Sequence, residues 1–129
     1  MIHVTAAIIF NEDNRILLAQ REKTSVRPLL WELPGGKQEP GEDLRSCLKR
    51  ELLEEFEIQV EVGPFFMKHR HAYPDLELML HAFYIQNTTG EFQLKAHRQI
   101  QWVSVNEFFH YSLAEADIPI LEALAAEIP

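Results

Sequence analysis

Short apolar segments separated by turn-forming residues run through most of the chain. Residues 3–10 and 15–20 are two such segments, and residues 11–14 between them carry Asn, Glu and Asp side chains. β-Branched and aliphatic residues favour strands, whereas Asn and Asp favour turns. This pattern predicts a β-hairpin near the N-terminus. Residues 22–30 have no clear periodicity and predict a loop.

The strand pattern returns after residue 58. Residues 59–62 and 65–70 are rich in β-formers and are separated by Gly63 and Pro64. Because proline cannot donate to a strand ladder, this sequence predicts one strand with an interruption.

Alternating apolar and polar residues predict a further strand at residues 76–86, after a turn at residues 73–75. Residues 87–90 predict another turn, followed by a strand at residues 91–94. Residues 99–103 predict the last, short strand.

Two helices are predicted in the last part of the chain. Ser104 and Glu107 have the spacing of a capping box, which predicts the start of a brief helix. The Ala- and Leu-rich stretch that follows Asp117 predicts a C-terminal helix.

Residues 36–58 combine a Gly-rich turn with a helical pattern that carries an unusual group of acids. Glu51, Glu54 and Glu55 fall within one arc, because positions i, i+3 and i+4 lie on one side of a helix. Nearly the same direction is shared by three residues expected to face the core, Leu44, Cys47 and Leu48. The solvated side should be centred on Arg45, Lys49 and Arg50.

The position of these acids favours a cation site. Like charges one helical turn apart cost roughly 0.2 to 0.5 kcal/mol each when exposed, and more when partly desolvated. An all-oxygen ligand set indicates Mg²⁺, Mn²⁺ or Ca²⁺ rather than zinc. The alternative is a solvated acidic face, the usual explanation for a run of charge, although these acids border the apolar side of the helix.

The same stretch resembles the Nudix box, G-x5-E-x7-R-E-U-x-E-E-x-G-U, where U is an aliphatic residue. The matching residues are Gly36, Glu42, Arg50, Glu51, Leu52, Glu54, Glu55 and Ile58. Glu57 stands where the pattern has Gly, at a helix end that often requires a left-handed conformation. The resemblance implies an α/β (α+β) Nudix fold, with a mixed β-sheet sandwiched between α-helices, and a single domain over residues 1–129.

The resemblance also implies the roles of the site residues. Residues 31–36, WELPGG, are similar to the entry to the box in the MutT-like branch of the family, where a carbonyl at the Gly35 position joins the metal site. The implied metal ligands are Gly35, Glu51, Glu54 and Glu55. Glu42 and Gly36 would support the site, although Glu42 could equally serve only as a negative charge at the helix start.

The expected catalytic residues are Glu51, Glu54 and Arg50. Arg50 can pair with Glu54 at i+4, and its counterpart in the family orients a box carboxylate. Arginine stays protonated and is therefore not a proton-transfer group. Many family members carry a further acid ahead of the last strand, but this chain has Ala96 there. The box glutamates, Glu51 above all, are thus expected to activate water.

Three residues are expected to bind substrate. Arg21 ends the second strand and resembles the family arginine that contacts phosphates, although a strand-end charge is a common feature in itself. Lys37 could screen phosphate charge or simply lie on the surface. Asp117 lies in a tail that resembles the CTP pyrophosphohydrolase type of MutT-like enzyme, where a polar residue reads the base edge. Its alternative role is a helix N-cap.

Composition limits the class of partner. The net charge of −8 argues against binding a nucleic-acid polymer, which requires a basic surface. Hydrophobic residues make up 47% of the 129 residues, which suits a single core. Cys47, the one cysteine, is expected to be a core residue rather than a nucleophile. Three histidines, His69, His71 and His81, lack a zinc spacing and are expected to be strand or pocket residues.

The N-terminal segment reads as a strand and not as a signal peptide, and no apolar run approaches the ~18 residues of a membrane span. A cytoplasmic protein without a membrane partner is therefore expected.

These observations predict a Mg²⁺-dependent hydrolase, with Mn²⁺ as a possible substitute, that converts a nucleoside triphosphate to the monophosphate and pyrophosphate. CTP, dCTP or oxidised and methylated nucleotides are the expected substrates. The alternatives are Nudix hydrolysis of another substrate, such as 8-oxo-dGTP in nucleotide-pool sanitation, a nucleotide sugar or a dinucleotide, and a non-catalytic base-sensing module. Whether the chain is a monomer or a homodimer is left open.

Overall fold

The computed structural model describes residues 1–127 and contains six strands and two α-helices in that range. The strands are β1 (Ile2–Ile8), β2 (Ile16–Arg21), β3 (Trp31–Glu32), β4 (Gln59–Ala72), β5 (Glu77–Thr89) and β6 (His97–Val103). The helices are α1 (Leu44–Phe56) and α2 (Ile118–Glu127), with short 3-10 turns at Phe108–His110 and Glu115–Asp117.

The strands form two three-stranded sheets. A mixed sheet has the order β1-β5-β4, with β1 parallel and β4 antiparallel to β5. The second sheet has the order β3-β2-β6 and is antiparallel. The predicted α+β class with a mixed sheet is confirmed.

Two apolar clusters lie on opposite faces of the strands. The first joins alternate residues of β1 and β2 to α2, with members Ala6, Ile8, Ile16, Leu18, Ile120, Leu121 and Leu124. The second joins the intervening residues to α1, with members Ala7, Ile9, Leu17, Ala19, Leu48, Leu52 and Phe56. Because both faces of β1 and β2 are buried, these strands read as continuous apolar runs.

The predicted hairpin is confirmed at its turn but does not continue along the first two strands. β1 pairs with β5 and β2 pairs with β6, so the two strands belong to different sheets. Next to the turn, the segments are joined by the Phe10–Ile16 bridge and by hydrogen bonds from Leu17 N to Ile9 O and from Asn11 N to Arg15 O. Residues 11–14 form the predicted turn. Beyond it, β1 and β2 are buried on both faces and pair in different sheets.

The outer edge of β1 carries the turn that leads into the box helix. Thr5 N donates to Gly36 O at 2.8 Å, and Ala7 N donates to Pro34 O at 2.7 Å. Gln38 N donates to His3 O at 2.9 Å. This pairing fixes residues 34–38 against the mixed sheet.

The prediction of one strand with an interruption at Gly63 and Pro64 is confirmed. The strand runs on from Gln59 to Ala72, and the register with β5 shifts around these residues. A β-bulge accommodates proline without ending the strand.

Residues 91–94 do not form the predicted strand. Gln93 N donates to Phe56 O, and Lys95 N donates to Glu55 O. These carbonyls belong to the last turn of α1, where no partner exists within the helix. Phe92 packs against Phe56 with ring centroids 5.7 Å apart. The segment therefore satisfies the end of the box helix instead of extending a sheet.

The predicted capping box is also wrong. Ser104 Oγ donates to Asn106 Oδ1 at 2.7 Å, and Glu107 N donates to the Ser104 carbonyl. The segment forms a turn followed by one 3-10 turn, because Ser104 uses its hydroxyl on a neighbouring side chain and not on a helix N–H.

No helix within residues 1–127 is long and apolar enough to cross a membrane.

Candidate active site

The Gly35–Gly36 turn lies between β1 and the acids of α1 with almost no spare volume. A Cβ atom on Gly35, whose φ is +151°, would lie 2.0 Å from the Thr5 carbonyl oxygen. A Cβ atom on Gly36 would lie 2.3 Å from the Glu51 carboxyl carbon. Glycine is required at Gly35, because a Cβ atom there would meet the backbone of β1, whereas a side chain at Gly36 would displace the Glu51 carboxylate. The turn thus places two peptide groups directly beside the box carboxylates.

Asp43 caps the helix that carries these carboxylates. Its side chain accepts a hydrogen bond from Ser46 N at 2.8 Å. At the other end, Glu57 takes the left-handed conformation, with φ 55° and ψ 33°. The absence of glycine at this box position has therefore not changed the helix exit.

Arg50 is half-buried at the centre of an ion-pair network, whereas Arg45 and Lys49, on the same predicted solvated side, are exposed. Its predicted pair with Glu54 is confirmed. Its guanidinium forms a two-pronged contact with Glu42, at 3.0 and 2.7 Å. It also donates to Glu51 at 2.9 Å and to Glu54 at 3.1 Å. The hydrogen bond from Arg50 lowers the pKa of Glu42 to about 2. These contacts orient the acids before any ligand binds.

In Glu51 and Glu55, the acids of α1 nearest the core, the ionised form of the carboxyl group is disfavoured. Burial raises the pKa of Glu51. Burial, followed by the charges of Glu32 and Glu51, raises the pKa of Glu55 to about 9. Glu55 Oε1 is buried and has no hydrogen-bond partner in the described part of the chain. A buried acceptor without a partner is costly, so a cation beside it would be stabilising.

The residues fit a hard divalent cation. The donors are carboxylate and carbonyl oxygens, which suit Mg²⁺ or Mn²⁺, and Glu55 Oε1 supplies an acceptor without a partner. Residues 1–127 contain no group of three or more metal-binding side chains already arranged around one point. Arg50 holds Glu51 and Glu54 in this state, and a cation would compete with it for their oxygens.

A cavity of about 720 Å³ extends from these acids toward α2. Its wall brings together seven of the residues predicted from sequence: Arg21, Gly35, Gly36, Lys37, Glu51, Glu55 and Asp117. The other predicted residues, Glu42, Arg50 and Glu54, are not part of the wall that the described residues form. They reach it through the ion pair of Arg50 with Glu51.

Asp117 lines the same cavity from the 3-10 turn before α2. The residue is only 6% exposed, and its Oδ2 accepts a hydrogen bond from Leu33 N at 2.9 Å. Burial, and then the charge of Glu32, raises its pKa to about 8. The Asp117 side chain therefore accepts its hydrogen bond from the residue that follows β3, and not from an N–H group of α2.

Three further residues of the cavity wall, Arg27, Tyr73 and Asp75, were not predicted from sequence. Arg27, from the loop after β2, lies 3.6 Å from the centre of the Tyr73 ring and pairs with Asp75. Tyr73 Oη accepts a hydrogen bond from Ala116 N at 3.0 Å. Tyr73 and Asp75 fall in a predicted turn, where neither spacing nor composition indicates a pocket.

Glu32 and His97 were also missed as site residues. Glu32 lies within the WELPGG stretch, lines the cavity, and contacts both Arg21 and His97. His97 is buried beside the exposed Ala96. The family motif contains Glu32, which was the one available signal, whereas no sequence pattern singles out His97.

The other predicted residues have ordinary positions. Cys47 is fully buried and burial raises its pKa to about 11, which confirms the expected core role. His69 and His71 lie on β4. His81 lies on β5, where its Nε2 is 2.9 Å from His3 Nδ1.

Comparison with known proteins decides the family. A model described as the NUDIX domain matches residues 5–123. The chain belongs to the NUDIX domain family. The prediction of a Nudix hydrolase is therefore confirmed, and hydrolases of this family generally need a divalent cation.

The relatives of this Nudix chain include enzymes of both expected kinds. It is 44% identical over 126 residues to the CTP pyrophosphohydrolase of Escherichia coli strain K12, covering 98% of this chain and 93% of that protein. It is 28% identical over 123 residues to the 8-oxo-dGTP diphosphatase of the same strain, covering 95% of each. The crystal structure of a MutT protein from Methanosarcina mazei Go1 superposes with a TM-score of 0.89 at 26% identity, covering 98% of this chain and 94% of that chain. The predicted MutT-like resemblance is confirmed.

Proposed function

We propose that the protein hydrolyses a nucleoside triphosphate to the monophosphate and pyrophosphate, with CTP, dCTP or their oxidised and methylated forms as substrates. One observation carries the proposal: a single cavity is lined both by acids of the box helix and by the buried carboxyl group of Asp117. The box acids suit a polyphosphate with its cations, and Asp117 suits a base. The similarity to a CTP pyrophosphohydrolase supports the same substrate class.

In this proposal Mg²⁺, or Mn²⁺ in its place, is held by Glu51, Glu54, Glu55 and the carbonyl of Gly35. The cation would offset the charge of the phosphate oxygens and lower the pKa of water. Glu42 keeps Arg50 in place through the two-pronged contact, and Gly36 provides room for the Glu51 carboxylate.

Glu51 is the proposed group that accepts a proton from the attacking water. Ala96 is exposed and cannot serve as an acid or base, whereas Glu51 lines the cavity. Burial raises the pKa of Glu51, which favours proton uptake relative to a solvated glutamate. Arg50 donates to Glu51 at 2.9 Å and orients this carboxylate, but does not itself transfer a proton.

Arg21 and Lys37 are the proposed cationic contacts to the phosphates. Both line the same cavity, whose wall also carries several acids. In a chain with a net charge of −8, a polyphosphate needs such placed cations in addition to metal ions. Lys37 is exposed and follows the glycine turn directly, so it can approach a phosphate group from the solvent side.

Asp117 is the proposed base-reading residue. One of its oxygens accepts the Leu33 N–H. Burial raises the pKa of this carboxyl group to about 8, and a base that donates its exocyclic amine to the other oxygen stabilises the ionised form. The N4 amine of cytosine provides such a donor, whereas uracil and thymine present a carbonyl oxygen at that position. Guanine also carries an exocyclic amine, and the similarity to an 8-oxo-dGTP diphosphatase makes 8-oxo-dGTP the second candidate substrate.

A nucleotide panel tests this function. Pyrophosphate release would be measured for the wild type and Asp117→Asn with CTP, dCTP, 5-methyl-dCTP, UTP and 8-oxo-dGTP. We expect the wild type to release monophosphate and pyrophosphate, and to prefer cytidine nucleotides over UTP by at least about tenfold, the value of one good polar contact. Asp117→Asn should reduce that preference, because its amide can turn a donor toward uracil.

Equal rates with CTP and UTP in both proteins would remove the role of Asp117. Preference for 8-oxo-dGTP over every cytidine nucleotide would favour the second substrate. Absence of pyrophosphate release from all five compounds would contradict the reaction itself.

A further inference from the structure

The pairing of β2 with β6 changes register at its last position. Gln20 lies opposite Gln99, but Arg21 lies opposite His97, so Arg98 is an extra residue in β6. A bulge of this kind bends the strand and redirects a neighbouring side chain, and bulges are common beside active sites. Here it accompanies a contact between the buried His97 and Glu32 of β3.

Glu32 is held from two sides. His97 Nε2 lies 2.9 Å from Glu32 Oε2, and because a carboxylate only accepts hydrogen bonds, Nε2 carries the donated proton. Arg21 Nη1 donates to Glu32 Oε1 at 3.0 Å. With both oxygens occupied, Glu32 is poorly suited to accept a proton from water, although it lines the cavity. The hydrogen bonds of Glu32 are instead suited to holding the Arg21 side chain in place.

The packing of His97 does not require an imidazole ring. The ring stacks on Phe56 with 5.4 Å between centroids and 5° between planes, an arrangement that phenylalanine could also make. Its side chain is 4% exposed, and within residues 1–127 its Nδ1 is buried without a partner. A buried nitrogen without a partner is a cost that an apolar ring would avoid. The hydrogen bond to Glu32 is the contact for which position 97 needs a histidine ring nitrogen.

Arg21 is fixed by this arrangement at the edge of the cavity. Its Nε donates to the Val26 carbonyl at 2.9 Å, and its Nη1 is taken by Glu32. Its Nη2 makes no hydrogen bond to any residue between 1 and 127 in this state, so one edge of the guanidinium is left for an anion. A shift of Glu32 would therefore move the group proposed to meet the phosphates.

We propose that His97 is a positioning residue that acts through Glu32 to fix the Arg21 guanidinium for polyphosphate binding, an inference that rests on the proposed function. His97 does not line the cavity in this structure, so its effect must pass through the hydrogen-bonded chain from His97 to Glu32 to Arg21. The role is specific to the ring nitrogen and separable from the stacking on Phe56.

Two substitutions separate the hydrogen bond from the packing. His97→Phe keeps the ring stack and removes the donor, whereas His97→Gln keeps a donor and removes the stack. We expect His97→Phe to raise KM for the nucleotide by about tenfold, the low end for loss of a supporting contact, with a smaller change in kcat. His97→Gln should recover most of the affinity. Gln99→Ala, which removes the neighbouring 2.7 Å bond to Gln20 on the same strand pair, is the matched control and should leave KM unchanged.

An Arg21→Ala background tests the route of the effect. If His97 acts through Arg21, His97→Phe should raise KM no further once Arg21 is absent. Full additivity of the two substitutions would overturn the proposal. So would a pattern in which His97→Gln is as impaired as His97→Phe and both lose activity in proportion to a fall in melting temperature, because that pattern indicates packing alone.

Binding of inorganic tripolyphosphate with Mg²⁺, measured by calorimetry, gives a readout without turnover. Weaker binding by about tenfold in His97→Phe, but not in Gln99→Ala, supports the positioning role. Equal dissociation constants for the wild type and His97→Phe overturn it, whatever the activity. If the wild type hydrolyses no nucleoside triphosphate, the proposed function fails, and this binding comparison still decides the role of His97.

Discussion

At the scale of single residues, the site is defined by acids that burial keeps from ionising. Glu55 and Asp117 line one cavity, and burial together with the charge of Glu32 raises the pKa of both. Glu42 has the opposite environment, because Arg50 donates two hydrogen bonds to it and lowers its pKa. Glu42, which pairs with Arg50, is therefore charged. Glu55 and Asp117, which face the cavity, would be stabilised in their charged forms by a cation or by a ligand that donates a hydrogen bond.

Asp117 should make the metal-free protein less stable as the pH rises. Its pKa in the folded protein, about 8, lies above its ordinary value of 3.8. The folded state therefore holds a proton that the unfolded state releases, so this contribution is complete below about pH 4 and is lost as pH rises through 8. Asp117→Asn should abolish the loss, since its amide oxygen can still accept the Leu33 N–H.

Thermal unfolding in the presence of a chelator would test this between pH 5 and 9. We expect Asp117→Asn to melt several degrees above the wild type at pH 9 and close to it at pH 5. Glu115→Gln, an exposed acid on the same turn, is the control and should follow the wild type. A constant difference between Asp117→Asn and the wild type at all pH values would contradict the buried, protonated carboxyl group.

Most residues of the candidate site could be named from sequence, because the box is a local pattern on one helix. Its spacing places Glu51 and Glu55 together whatever the rest of the chain does. The environment of Arg50 could not be predicted in the same way, because Glu42 and the Lys37 carbonyl reach it from the preceding turn. His97 depends on a bulge between distant strands, which leaves no sign in local sequence.

At the scale of elements, the box helix ends as the family pattern requires although it lacks the glycine. Glu57 takes the left-handed conformation and its N–H donates to the Leu53 carbonyl. Gln93 and Lys95 satisfy the carbonyls of the last turn. Tertiary contacts from residues 91–95 therefore hold the exit, which explains why that segment is not a strand.

Glu57→Gly should stabilise the protein by about 0.5 to 1 kcal/mol. A left-handed residue with a Cβ costs roughly 1 to 2 kcal/mol, part of which is offset by the greater chain entropy that glycine loses on folding. The Glu57–Lys95 ion pair is lost as well, but both side chains are more than half exposed and such pairs contribute little.

Glu57→Ala is the control for that measurement by urea denaturation, because it removes the ion pair and keeps the Cβ atom. We expect the alanine variant to be no more stable than the wild type. Equal free energies of unfolding for the glycine and alanine variants would show that the left-handed conformation costs nothing here.

Sheet topology was the part of the fold that local pattern could not reveal. The strand positions follow from runs of β-formers, but the partner of β1 is β5, more than seventy positions away in the register. An apolar run buried on both faces is compatible with either a hairpin or a parallel pairing. The choice between a hairpin and a parallel pairing depends on the packing of α1 and α2 on opposite faces of the strands.

At the scale of the whole molecule, the fold places a rigid acidic helix against a turn that has no room for side chains, and extends a cavity from there to α2. The two apolar clusters fix α1 and α2 on opposite sides of the strands, so the core holds in place both the box acids and the helix that follows Asp117. In this account, the box residues determine the reaction, and the residues around Asp117 determine which base is bound.

The central claim is that the box acids hold a divalent cation needed for hydrolysis of the triphosphate. The most direct test measures pyrophosphate release from CTP by the wild type, Glu54→Gln and Glu57→Gln, with Mg²⁺ and with a chelator. Glu57 is an exposed acid at the end of the same helix and provides the matched control.

We predict that chelation abolishes release by the wild type and that Mg²⁺ restores it. Glu54→Gln should lose roughly 100-fold or more with Mg²⁺ present, because a charged ligand has become neutral, while Glu57→Gln should match the wild type. Undiminished release by the chelated wild type, or by Glu54→Gln, would contradict the account.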